Sequence, residues 1–327
     1  MIPFKKSQDN FKFRLKWIQP ITITIWLVAV SISNMEQQSV LVAAATTSSS
    51  PDNSLGTTTR PNIPSQAGKP PISGNGFVWG FQAAFGDAHL VKYDLRGNVI
   101  TSFVPDGGAA GNGRGVAVNT TTHNLYYTVL AGDESFAGDG LIHIVSPRGG
   151  SDISTIPDPG GDGGPGIGAL DFFGGDLWAI SYKPDANNEN TIYKLDSNNG
   201  GVLANCTIPF AGGGKGVDTL AIFDTSKGPR IYTDAADLLF PETVLYEYQL
   251  PSSINQGSCI QTDKFTLPID ISISGIDNMH KKLFGTNTEF LFDFGTSPFR
   301  SIKGSLFLTS TGEEGEGAIE DIEYSRS

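Results

Sequence analysis

From position 76 onward, apolar and polar residues alternate with period two in short runs, and the runs recur at intervals of about fifty residues. One recurring run reads HLVKYD from His89, LIHIVS from Leu141, TIYKLD from Thr191, VLYEYQ from Val244 and FLFDFG from Phe290. Alternation of this kind predicts a strand with two differently placed faces. After a turn such as Arg96-Gly97-Asn98, a second run follows and usually closes on proline: ITSFVP from Ile100, ISTIP from Ile153, VLANCTIP from Val202 and KFTLP from Lys264. The fifth copy, GSLFLTS from Gly304, lacks the proline. Ahead of each pair stands a strand–turn–strand unit, as in GVAVNTTTHNLYYT from Gly115, GALDFFGGDLWAIS from Gly168, TLAIFDTSKGPRIYTD from Thr219 and GIDNMHKKLFGTN from Gly275.

Four antiparallel strands per repeat, here lettered A to D, are the pattern of a β-propeller blade. The C and D runs occur five times, whereas complete A–B hairpins occur four times. The missing pieces lie at the two ends: FVWGFQ from Phe77 reads as a B strand without an A strand before it, and AIEDIEYS from Ala318 reads as an A strand with nothing after it. Pairing of the last strand with the first blade would close the ring and hide its sheet edges. The expectation is therefore an all-β propeller over residues 76–327 with five four-stranded blades, the C-terminal strand completing the first. A six-bladed ring is the alternative, and it needs a blade that the polar, proline-rich stretch before Gly76 does not supply.

That stretch, residues 46–75, is rich in Ser, Thr, Pro and Gly and reads as a disordered linker. Before it, within residues 1–45, Lys5, Lys6, Lys12, Arg14 and Lys16 precede an uncharged apolar run from Trp17 to Ile32, the layout of either a cleaved signal peptide or an N-terminal membrane anchor. Both outcomes place the folded part outside the cell, secreted or tethered, with membrane contact only through this segment. The net charge of the chain is −12, and setting aside the five basic and two acidic residues of positions 1–45 leaves −15. So acidic a body repels nucleic acid and favours cations or basic partners. Cys206 and Cys259, one repeat apart, form either a disulfide suited to an oxidising compartment or two separate thiols. Asn119-Thr120-Thr121 and Asn205-Cys206-Thr207 are N-glycosylation sequons.

In a propeller the D-to-A and B-to-C loops emerge on one face. Here those loops are glycine-rich and acidic, and hard cations such as Ca²⁺ need convergent carboxylates. Asp171, Asp218, Asp277 and Glu316 are the candidate metal ligands, and Arg114 and Asp162 are candidate ligand-binding residues. Asp and Gly also form ordinary turns, and Asp171 falls inside an A strand. The sequence contains no His-Glu-x-x-His, Cys-x-x-Cys, P-loop or Gly-x-Ser-x-Gly motif.

The piece from Gly175 to Leu203 (GDLWAIS … TIYKLDSNNGGVL) resembles repeats of the broad NHL, streptogramin-lyase and gluconolactonase/regucalcin-like propeller group, and the resemblance extends over most of residues 76–327. GEGAIED from Gly315 is similar to the turn that carries a metal-binding glutamate in the gluconolactonase-like members, which would make Glu316 the matching position. The sequence departs from that group in lacking its Pro-Asn-Gly turn and in having five blades instead of six. Two functions are expected: an extracellular, monomeric binding module for a protein, glycan or small-molecule ligand, or a Ca²⁺-dependent lactonase/esterase-like hydrolase of the gluconolactonase type.

Overall fold

The computed structural model describes residues 72, 75–83, 87–108, 111–131, 137–209, 216–234, 244–267, 273–279, 281–287, 290–299, 301–308 and 318–325. Residues 1–45, expected to be a signal peptide or anchor, most of the expected linker and Glu316 lie outside the described residues. Among the described residues, no helix is long and apolar enough to cross a membrane.

Among the described residues, twenty strands form five separate four-stranded antiparallel sheets. Blade 1 runs from β20 (Ala318–Ser325) at the axis through β1 (Phe77–Ala83) and β2 (Leu90–Asp94) to β3 (Val99–Phe103) at the rim. Blade 2 comprises β4 (Gly111–Val118), β5 (Leu125–Ala131), β6 (Asp139–Val145) and β7 (Ser154–Asp162), and blade 3 comprises β8 (Ile167–Phe173), β9 (Asp176–Ser181), β10 (Glu189–Leu195) and β11 (Val202–Pro209). Blade 4 holds β12 (Ala221–Thr225), β13 (Gly228–Asp234), β14 (Val244–Gln249) and β15 (Gln261–Thr266), and blade 5 holds β16 (Gly275–Met279), β17 (Lys282–Asn287), β18 (Phe290–Gly295) and β19 (Gly304–Phe307). The innermost strands neighbour one another in the circular order β20, β4, β8, β12, β16. This is a five-bladed β-propeller. Pairing of β20 with β1, from Phe77 opposite Ser325 to Ala83 opposite Ala318, closes it as the strand count requires.

Alternation along each strand sends side chains to both faces of a blade, and both faces are covered, so the core is a set of layers between blades. In β5, Leu125, Tyr127 and Val129 pack with Trp79, Phe81 and Leu90 of blade 1, while Tyr126 points the other way and packs with Leu170 and Leu177 of blade 3. Three further clusters fill the junctions between blades 3 and 4, 4 and 5, and 5 and 1. Each fully buried Leu, Val or Phe side chain contributes about 1.5–3 kcal/mol, and no single sheet could collect this without its neighbour. Ile72 is buried in the junction between blades 5 and 1, ahead of the domain start expected at residue 76.

Local chemistry sets the turns. Asp94 Oδ1 accepts the backbone N–H groups of Arg96 and Asn98 between β2 and β3, with Gly97 at φ 85°. Asn119 Oδ1 accepts those of Thr121 and Thr122 in the turn after β4. The D strands are rim strands, which is why β7 tolerates Pro157 and Pro159. It continues to Asp162, so part of the segment expected to be a D–A loop is strand.

The rim strand β11 is covered. The connection between β14 and β15 lies along it: Thr207 N–H donates to the Gly257 carbonyl (2.8 Å), and Cys259 N–H to the Thr207 carbonyl (2.7 Å). Cys206 and Cys259 are disulfide-bonded there, with Cα atoms 5.0 Å apart, tying blade 3 to blade 4. Asn255 N–H donates to Asn205 Oδ1 at 2.5 Å, so the second sequon asparagine also helps to hold this connection.

Candidate functional site at the channel axis

The five innermost strands have no sheet partner on their axial side, and their backbone N–H groups there need acceptors. Carboxylates reaching across from other blades supply them. Asp321 of β20, fully buried, takes the N–H groups of Val116 in β4 (2.9 Å) and Leu170 in β8 (3.2 Å) on its Oδ2. Glu323, two residues along the same strand, accepts from Val118 N–H. Asp171 of β8 accepts from Ile222 N–H in β12 (2.5 Å), and Asp277 of β16 accepts from Tyr324 N–H in β20. Asn278 Nδ2 donates to the Ile222 carbonyl at 3.3 Å.

Three of these side chains converge. One oxygen each from Asp171, Asp277 and Glu323 lie within 4.8 Å of one another, and all three residues are buried. They form the floor of a cavity of about 580 Å³ whose rim includes Thr120, His123 and Lys281 from A–B turns. Burial pushes the Asp171 and Glu323 carboxyls well above the usual carboxylate range, and the negative charge of Asp277 beside them adds to the effect. Burial raises Asp277 to about 7, against the lowering effect of the N–H groups of Tyr324 and Asn278. Asp321 is likewise raised by burial, against three backbone N–H groups.

No protein-family model matches the sequence, and no curated protein matches it. Among solved structures the chain is similar to one in a nidogen/laminin complex, with 12% identity, 76% of this chain and 98% of that one covered, and a TM-score of 0.43. It is also similar to the WD40 β-propeller domain of Doa1, at 10% identity, 77% and 93% coverage and a TM-score of 0.38. BamB from Moraxella catarrhalis gives 11%, 73% and 62% with a TM-score of 0.34. Of the resemblance read from the sequence, the propeller architecture is what stands.

The floor lies at the A–B end of the channel, opposite the face of the D-to-A and B-to-C connections. Two of the candidate metal ligands, Asp171 and Asp277, meet there, and each sits within its strand. Arg114 and Asp218 lie away from the floor and engage each other: Arg114 Nη1 is 3.3 Å from Asp218 Oδ1, with the guanidinium 4.6 Å from the centre of the Tyr182 ring. Burial raises the Asp218 carboxyl and Arg114 lowers it. Arg114 is part of β4 and is 5% exposed, not a loop residue. Asp162 is exposed at the rim, where it pairs with Asp139 in the sheet. Glu323 was missed, although the signal was present: AIEDIEYS places two acids, Asp321 and Glu323, two residues apart in a strand expected at the axis.

A second ionisable cluster sits in blade 2. His143 is held between Asp152 (Nδ1, 2.7 Å) and Asp139 (Nε2, 2.8 Å) and stacks on Tyr127, whose hydroxyl donates to Asp152 at 2.7 Å. Asp106 anchors it by accepting from Asp152 N–H. Burial lowers the His143 pKa and the two carboxylates raise it, with a net rise.

Proposed function

We propose that the chain is an extracellular or surface-tethered binding propeller that takes a cationic ligand at the A–B mouth of its channel. The observation that carries this reading is the cavity of about 580 Å³ with a floor of buried carboxylates. These side chains are already fixed by backbone N–H groups, so the site is formed before any ligand arrives and little ordering is needed on binding. The net negative charge of the folded part supports a cationic ligand. The disulfide and the basic-then-apolar N-terminus support export. The gluconolactonase-like hydrolase is the competing reading, supported by the same carboxylates, which would hold Ca²⁺ as a Lewis acid against a carbonyl.

Two assays on the full chain separate them. A panel of cationic, neutral and anionic small molecules, surveyed by saturation-transfer NMR, is expected to give hits among the cations that disappear in Thr120→Trp, which fills the mouth. Turnover of δ-valerolactone or p-nitrophenyl acetate, abolished by Asp277→Asn, would overturn the binding reading in favour of the hydrolase. Hits confined to anions would overturn both the ligand class and the site.

A further inference from the structure

We propose that Asp171, Asp277 and Glu323 form a Ca²⁺ site that joins blades 1, 3 and 5 at the mouth of the channel. This rests on the reading of that mouth as the ligand site and specifies what occupies its floor.

The first support is distance. Two oxygens that share a Ca²⁺ ion at 2.3–2.6 Å can lie no further apart than about 4.6–5.2 Å. The three floor oxygens, within 4.8 Å of one another, meet that condition as they stand. The second support is charge. Among the described residues, none of the three carboxylates is ion-paired with a lysine, arginine or histidine; the ion pairs found involve Asp139, Asp152, Asp176, Asp218, Glu247 and Asp293. Backbone N–H groups soften the repulsion among three such groups but supply no full positive charge.

The third support is a single atom. Glu323 is 5% exposed, and its Oε2 is enclosed with no hydrogen-bond partner. A buried polar atom left unmade costs about 1–3 kcal/mol and more when charged. Val118 N–H takes one oxygen of Glu323 and leaves Oε2 without a donor, a buried place suited to a different positive partner. The donors are all oxygen, which is the preference of hard cations, and three anchored carboxylates leave room for the waters that complete a Ca²⁺ shell of six to eight ligands.

The test uses the full chain stripped with chelator and titrated with Ca²⁺ by calorimetry. The expected result is one saturable site and a higher melting temperature with the ion. Glu323→Gln and Asp171→Asn keep an oxygen for Val118 N–H and Ile222 N–H, and each should weaken Ca²⁺ binding by about tenfold or more. Asp263→Asn, on the exposed rim strand β15 away from the cavity, should leave it unchanged. Absence of Ca²⁺ binding at millimolar concentration, or equal affinity in both triad variants, would overturn the site. If a variant does not fold, anomalous scattering from wild-type crystals soaked in Tb³⁺ decides: density between the three carboxylates supports the proposal, and density elsewhere or none refutes it. Cationic organic ligands that bind at the mouth of a chain indifferent to Ca²⁺ would remove the metal site and leave the binding reading standing. Ca²⁺ bound at the triad with no such ligand would do the reverse.

Discussion

Replacement of Asp321 tests whether axial carboxylates hold the blades together through backbone N–H groups. In Asp321→Ala, the amides of Val116, Leu170 and Ile322 lose their acceptor at a position where the side chain is 0% exposed and water has no access. Each buried donor left unmade costs about 1–3 kcal/mol, so the expected loss is about 3–9 kcal/mol. That is a large part of the 5–15 kcal/mol typical of a folded domain. Asp321→Asn offers Val116 and Leu170 a carbonyl oxygen and gives up the acceptor of Ile322 N–H, 3.0 Å from Oδ1, so it should lose only about 1–3 kcal/mol. Urea unfolding followed by the fluorescence of Trp79 and Trp178, each 1% exposed, reads both values. If Ala and Asn agree within about 0.5 kcal/mol, or Asn is the worse of the two, the amide-acceptor account is refuted.

Three further outcomes follow from the packing. Reduction of the Cys206–Cys259 bridge, or its replacement by two alanines, opens a loop of 53 residues and should lower stability by about 4 kcal/mol, read as a shift in urea midpoint. The His143 pKa is raised on folding, so the stability it contributes is fully present below about 6.5 and is lost as pH rises through the folded value. His143→Gln, still facing Asp106, Asp139, Asp152 and Tyr127, should flatten the urea midpoint across that window, and an unchanged pH profile would remove the histidine from the account. A Cβ added at Gly168 would stand 1.8 Å from the Val217 carbonyl oxygen, a backbone atom that cannot rotate away, so Gly168→Ala should cost about 1–3 kcal/mol or more in thermal or urea unfolding.

The architecture was legible because a propeller repeats its pattern: period-two alternation located the C and D strands, and the unequal count of hairpins implied closure by the last strand. The site was legible only in its residue types. Asp171 and Asp277 stood out as acids, but spacing along one strand does not say which positions of three different blades share a height on the axis. The expectation that chemistry sits in the long loops drew attention to Asp162 and Asp218, whereas the convergent carboxylates lie within strands where an unpaired edge demands acceptors. Arg114 was read as a loop residue because Gly111, Gly113 and Gly115 suggest a turn. In the structure Gly113 and Gly115 permit close approach of blades: a Cβ at Gly113 would lie 2.4 Å from the Gln82 carbonyl oxygen and one at Gly115 2.8 Å from Leu170 Cγ.

The pairing of β20 with β1 also bears on the order of events during synthesis. Residues 77–83 leave the ribosome some 240 residues before the strand that completes their sheet, and Asp321 and Glu323 arrive with that same strand. Until then blade 1 keeps an open axial edge, and the carboxylate floor lacks one of its three members. A nascent chain therefore cannot assemble the axial site early, and any transcript with a stop codon upstream of position 318 yields an unclosed ring with its edges bare to proteases and chaperones.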